Sequence, residues 1–326
     1  MRKFHVQPVI TLIILFACIN SFAFVPGVPS SKAGFFLPDS IEEVTLRFRR
    51  ANNLILLPVT INDSLHVNLI LDTGCRNVVL FGKRFLKEFE VHPDRRVEFS
   101  GLGSGNSISG RISVGNKVAI GAVLGERIPV VVVPNPNLFG SYVGVDGIIG
   151  YDIFIKFEIE LHNSQQLITF RPAQTAQIPS DYNLIPIRIE DSRPIIQSTL
   201  TLMGREESLD IMIDTGSSLG LLLKTDEGTD LFRNAKTEIL GRGLNGPIEG
   251  VNVRAEGVRL HSFLLRRVPV GVVHSAWAGM PSVGMDVLRD YSLVLNYCKG
   301  YAGLKSHAAP IANDLKRSNS TAFADF

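Results

Sequence analysis

A chain of 326 residues with 45% hydrophobic content is long enough for two domains with cores of their own. Its 33 Lys and Arg against 31 Asp and Glu leave a formal charge of +2, so it has neither the basic field of a nucleic-acid binder nor an acidic solvating segment. Seven histidines are scattered, with no HExxH and no Cys/His cluster at zinc-ligand spacing, so no metal and no cofactor is expected.

Met1-Arg2-Lys3 precedes an apolar run from Val9 to Ile19, a length that suits the hydrophobic region of a signal peptide and is short for a membrane span. Ser21 and Ala23 place small residues at the two positions a signal peptidase reads. Residues 1–23 are therefore expected to be removed and the protein exported to a periplasm, the cell envelope or the outside, with no integral span left after cleavage. Two other readings stay open: lipid attachment at Cys18, after Leu15-Phe16-Ala17, and retention by an uncleaved N-terminal anchor. Only Cys75 and Cys298 remain in the mature chain, too few for a disulfide framework, and their pairing is open.

Residues 24–44 read as an N-terminal extension, a possible activation segment. From Val44 onward the chain is a succession of short β-rich runs broken by Gly, Asn and Asp: Leu54 to Ile61, Leu65 to Leu71, Val97 to Phe99, Val118 to Ile120 and Ile128 to Val133. Short helices are expected after Gly150, near Thr225 to Asn234 and after Gly284. A polar joint flanked by Pro172 and Pro179 reads as a linker. Residues 306–326 read as a frayed tail.

An internal repeat organises the chain. Leu69-Ile70-Leu71-Asp72-Thr73-Gly74 recurs 142 positions later as Ile211-Met212-Ile213-Asp214-Thr215-Gly216. Gly101-Leu102-Gly103, closing at Gly110, recurs as Gly241-Arg242-Gly243, closing at Gly250. Arg127-Ile128-Pro129-Val130 returns as Arg267-Val268-Pro269-Val270, and Ile148-Ile149-Gly150-Tyr151-Asp152 as Ser282-Val283-Gly284-Met285-Asp286. Landmarks in one order at nearly constant offset mark a duplicated domain. The expected lobes are residues 45–172 and 184–305, joined by 173–183.

An Asp-Thr-Gly at the end of an apolar run, once per lobe, has a chemical reading. If a twofold-like axis relates the lobes, Asp72 and Asp214 meet there, and two carboxylates held that close share one proton. One then serves as general base on a water while the protonated one donates to the carbonyl under attack. Gly74 and Gly216 let the backbone pass close to the carboxylates. The hydroxyls of Thr73 and Thr215 can hydrogen-bond across the axis, and Ser217 can donate to its own aspartate, a place that Cys75 takes in the first lobe.

These residues resemble the aspartic peptidases of the pepsin and retropepsin kind, in the bacterial form that carries both halves in one chain. The resemblance rests on Asp72 to Gly74, Gly101 to Gly110 and Ile148 to Gly150, then on Asp214 to Gly216, Gly241 to Gly250 and Val283-Gly284. It implies a mainly β fold of two closed β-barrel lobes with the active site in the cleft between them. Gly101, Gly103, Gly110, Gly241, Gly243 and Gly250 would belong to glycine-rich flaps, one per lobe. The implied activity is endoproteolysis of an extended polypeptide by a protein with both half-sites in one chain, hence a monomer. Three departures stand out: Cys75 in place of Ser, Thr or Ala, Ser282 in place of an apolar residue, and no tyrosine in either flap run.

Rival patterns fit the residues less well. Gly216-Ser217-Ser218-Leu219-Gly220 fits the G-x-S-x-G nucleophile elbow, which requires a strand-to-helix turn that a β-rich chain does not provide. The glycine runs match neither a dinucleotide fingerprint nor a phosphate loop. Cys75 reads as a small buried residue rather than a nucleophile. The alternative from another class is a catalytically silent two-lobed module of the cell envelope that binds peptides.

Overall fold

The short apolar runs become hairpins, because Asn and Asp at their junctions accept the left-handed backbone that a tight turn demands. Asn62 and Asp63, at φ +50° and +63°, link strand Leu54–Ile61 to strand Leu65–Leu71. A computed structural model of the chain describes residues 32–91, 95–99, 103, 107–134, 144–225, 236–274 and 280–307. The expected signal segment, the bulk of the expected helix near Thr225 to Asn234 and most of the tail lie outside the described residues. Within them the fold is mainly β. Helices Tyr151–Phe154 and Met285–Leu288 each start directly after the glycine that the repeat singled out.

Three sheets carry the strands. In the first, Leu65–Leu71 pairs antiparallel with Leu54–Ile61 and parallel with Gly147–Ile149. Gly147–Ile149 lies antiparallel to Val78–Phe81, which runs parallel to Val123–Val133. Ile108–Ile120 pairs with Val123–Val133, with Leu54–Ile61 and with Arg96–Phe99. The expected strands Val118 to Ile120 and Ile128 to Val133 are thus the ends of much longer ones, since glycines and polar residues on their exposed side hide their true length.

The second sheet repeats this succession. Arg205–Ile213 pairs with Arg193–Leu202 and, in parallel, with Ser282–Val283. Leu221–Thr225 is antiparallel to Ser282–Val283 and parallel to Phe263–His274. Gly246–Leu260 pairs with Phe263–His274, with Arg193–Leu202 and with Glu238–Gly243.

The third sheet joins the two halves. Its six strands run in the order Asn183–Pro186, Tyr301–Ser306, Tyr291–Asn296, Phe157–His162, Leu167–Pro172 and Val44–Arg47. Phe157–His162 and Tyr291–Asn296 make the seam between strands from before and after the joint. That joint is packed down rather than loose: Ala173 and Ala176 are buried, and Asn296 Nδ2 donates to the Ala173 carbonyl at 2.9 Å. One hydrophobic cluster runs through both halves, including Leu57, Leu69 and Val130 with Ile196, Ile211 and Val268.

The segment read as an N-terminal extension carries a strand. Strand Gly34–Phe36 pairs with Val123–Val133, and Phe35 and Leu37 are buried. A Phe-Phe-Leu run flanked by glycine and proline is too short to show a periodicity of its own, so only the partner strand makes this segment a strand.

Candidate active site

Strand Leu65–Leu71 ends at Asp72 and strand Arg205–Ile213 ends at Asp214, each flowing straight into a turn. The Asp72 N–H donates to the Ile149 carbonyl and the Asp214 N–H to the Val283 carbonyl, both at 2.9 Å. The short parallel strands before Gly150 and Gly284 therefore clamp both aspartates from the side. Backbone crowding explains those glycines. A Cβ at Gly150 would lie 1.9 Å from the Cys75 carbonyl oxygen, and one at Gly284 would lie 2.4 Å from that of Leu219. Ser282, apolar in the resemblance, is buried and still pairs with Met212.

The two turns are tied together by reciprocal hydrogen bonds. Thr73 Oγ1 donates to the Ile213 carbonyl at 2.7 Å and accepts the Thr215 N–H at 3.0 Å. Thr215 Oγ1 donates to the Leu71 carbonyl at 2.8 Å and accepts the Thr73 N–H at 3.1 Å. Both threonines are fully buried, so every bond of the set is shielded from water. The carboxylates are held alike: the Gly74 N–H reaches Asp72 Oδ1 at 2.7 Å, and the Gly216 N–H reaches Asp214 Oδ1 at 3.0 Å.

The glycines show how close the carboxylates come. A Cβ at Gly216 would sit 2.3 Å from Cγ of Asp72, the aspartate of the other turn. A Cβ at Gly74 would lie 3.1 Å from Asp72 Oδ1 and 3.8 Å from Asp214 Oδ1, so one point is in van der Waals contact with both acids. Burial pushes both carboxyls above the usual carboxylate range, and the Asp72 charge pushes Asp214 up further. The Gly74 N–H on Asp72, the Gly216 and Ser217 N–H groups on Asp214, and Arg193 on both act in the opposite sense.

The neighbours of the dyad are less alike. Ser217 was expected to donate its hydroxyl to Asp214. Its Oγ instead accepts the Leu219 N–H at 3.3 Å, and the backbone N–H of Ser217 is what supports the acid. Cys75 is buried with its thiol on the Asn77 carbonyl at 3.3 Å, and burial together with the Asp72 charge pushes it far up. Such a thiol is inert at neutral pH. Cys298 is exposed, and both cysteines are free. After Gly220 the chain enters strand Leu221–Thr225, so Ser218 does not stand on a strand-to-helix elbow.

The glycines read as flap candidates divide into two groups. Hairpins Arg96–Phe99/Ile108–Ile120 and Glu238–Gly243/Gly246–Leu260 rise from the two halves. At Gly103, φ +128°, a Cβ would lie 2.6 Å from the Asn245 carbonyl carbon, so the two tips touch. Gly243 pairs with Gly246 at the second tip, and Gly241 makes only ordinary contact with Leu219. Gly110 and Gly250 lie instead within long strands, where a Cβ would meet Val131 and Val272 at 2.5 and 2.2 Å; they permit close strand packing and are no part of a tip. Gly101 lies outside the described residues.

Residues 57–153 match the family model described as aspartyl protease. That stretch holds Asp72 with its loop, the first hairpin and Gly150, and it supports a protease-like function. No curated protein matches the chain. The match stops short of Asp214, whose place in the site rests on the repeat and on the hydrogen bonds above.

Two residues near the dyad went unread in the sequence. Tyr297 is buried beneath it, stacked on Phe154 at 5.2 Å between ring centroids. Arg193 opens strand Arg193–Leu202. Superposing the repeats on their strands, rather than on Asp-Thr-Gly alone, would have exposed Arg193 as the counterpart of apolar Leu54.

Proposed function

We propose that the protein is an aspartic endopeptidase in which Asp72 and Asp214 share one proton and activate a water molecule for attack on a peptide bond. The observation that carries this reading is the reciprocal Thr73–Thr215 hydrogen-bond set, which brings the two carboxylates to one point. Like charges that close, in a desolvated site, cannot both ionise, as in the aspartic-protease dyads from which the rule is drawn.

The ionised carboxylate takes a proton from water as its oxygen bonds to the substrate carbonyl carbon. The protonated carboxyl donates to the carbonyl oxygen, giving a neutral tetrahedral diol. Collapse breaks the C–N bond, the amine leaves with a proton from the first acid, and the second recovers its own. An extended peptide fits the space beneath the two hairpins, where strand-like backbone pairing can hold it.

The architecture belongs to this proposal. Each of the first two sheets passes through six strands and returns to its first, which supports closed β-barrel lobes at residues 45–172 and 184–305 related by a twofold-like axis. A polypeptide partner and a monomeric state follow from the same reading, and export is proposed from the segment 1–23.

Incubating the purified protein with a denatured protein substrate tests it. Wild type should produce peptides, and Asp72→Asn and Asp214→Asn should each abolish them. Full activity in either variant sinks the dyad; peptide binding without turnover in wild type, across pH, favours the silent binding module.

A further inference from the structure

Two of the cross-half contacts that flank the dyad differ in charge. On one side the hairpin tip at Asn52 reaches across, Asn52 Nδ2 donating to Ser218 Oγ at 3.3 Å, a neutral contact. On the other side the tip at Asp191, φ +45°, reaches Arg76, which directly follows Cys75, with Asp191 Oδ1 accepting from the guanidinium at 2.9 Å. Arg76 also lies near Asp152, whose carboxylate Asn77 Nδ2 approaches at 3.5 Å. Arg76 is thus already matched by acids.

Arg193 is matched less fully. It forms an ion pair with Asp191 Oδ2 at 3.5 Å and faces Glu190 across the strand pair, but among the described residues its guanidinium makes no hydrogen bond. Register fixes where it stands. Ile195 pairs with Met212, so two residues on, where the ladder ends, Arg193 is level with Asp214. The same count in the first sheet, from Leu56 opposite Ile70, sets Leu54 level with Asp72. Leu54 is buried at 5% exposure, whereas the Arg193 side chain is 34% exposed. Both carboxyls of the dyad feel its charge.

A part-exposed arginine beside two desolvated acids offers a guanidinium fork to an anionic group. A guanidinium recognises carboxylates in a bidentate fashion, and its bonds strengthen where water is excluded. Resting on the peptidase reading above, we propose that Arg193 is a specificity-determining residue that binds a carboxylate of the peptide within three residues of the scissile bond, on one side only. Leu54, the apolar counterpart of Arg193, gives the other half of the cleft no such preference, and the charges beside Asn52 are already engaged, Asp286 and Arg289 with each other and with Asn53. The carboxylate has two possible sources, an Asp or Glu side chain and the free C-terminus of the peptide.

A random octapeptide mixture, offered once with free and once with amidated C-termini, tests this. Cleavage by wild type is read by mass spectrometry, and peptides retained by purified Asp214→Asn protein are sequenced in parallel. Acidic residues should be enriched at one fixed position in both readouts; enrichment that vanishes on amidation assigns the carboxylate to the chain end. Arg193→Leu, which copies Leu54, should lower the acidic preference ten- to a hundredfold, the worth of a charge-assisted bond. Arg193→Glu should replace it by Lys and Arg. Arg193→Gln serves if the leucine variant does not fold. Acidic enrichment among retained peptides without any cleavage would remove the peptidase reading and keep the subsite. No enrichment at a fixed position, or enrichment untouched by Arg193→Leu with all peptides slowed equally, overturns the proposal.

Discussion

The Asp214 carboxyl is buried against a second acid, and that arrangement costs stability wherever both are pressed to ionise. Its folded pKa is raised above the unfolded value, so the native state binds the proton more tightly. Stability is then greatest below the unfolded pKa and falls as pH rises toward the folded one. Asp214→Asn lacks this loss. Chemical denaturation should find the variant more stable than wild type at pH 8 by on the order of 2 kcal/mol, with the difference shrinking toward pH 4. For the same reason the alkaline limb of the wild-type activity profile should lie well above the pH at which an exposed carboxylate titrates. The threonines give a second test. Thr215→Val deletes the donation to Leu71 and strands the Thr73 N–H, costing about 2–4 kcal/mol and most of kcat/KM, whereas Thr215→Ser keeps both bonds and should stay within a few-fold of wild type.

Strand Gly34–Phe36 is the element that the segment 24–44 contributes to the first sheet. Its Phe35 ring packs where a Cβ at Gly125 would lie 2.7 Å away, so the strand sits tightly on its partner Val123–Val133. Phe35→Ala should lower stability by about 3–5 kcal/mol in urea titration, and removal of everything before Val44 should do at least as much. An activation step that cuts in this chain would therefore have to cut before Gly34 to keep the sheet intact. The contact of Gly103 with Asn245 and Gly246 ties the two hairpin tips together. Gly103→Ala demands both a forbidden backbone angle and that collision, and should slow substrate entry or exit, seen as a change in kcat and KM together with little change in melting temperature.

The six-stranded sheet makes the halves one folding unit. Glu158, almost fully buried on Phe157–His162, takes Asn296 Nδ2 at 3.3 Å and the hydroxyl of Tyr301 from the second half, with Arg171 at 3.5 Å. Glu160 accepts from Tyr182 at 2.6 Å and from Arg171 at 2.7 Å. Acids buried this way are tolerable only with all of these partners present, and Asn296 and Tyr301 come from beyond the joint. Expressed separately on either side of residues 173–183, the halves should fail to give cooperative unfolding, whereas the intact chain should melt in one transition by calorimetry. Two independent transitions in the intact protein would contradict this.

The sequence by itself made the candidate aspartates and the recurring landmarks legible, because Asp-Thr-Gly, the late glycines and the spacing between them are local patterns that survive in any folded context. Gly150 and Gly284 were legible for the same reason: only glycine fits against the carbonyls of the turns they cross. Tertiary structure alone decided the rest. The sheet shared by the halves, the burial of Glu158 and the strand at Phe35 depend on partners far away in the chain, where no periodicity reaches. The same holds for the two tips, where Asp191 carries charge and Asn52 none. Each is an ordinary polar turn residue in sequence, and only the pairing of strand Arg193–Leu202 with strand Arg205–Ile213 sets Arg193 level with Asp214.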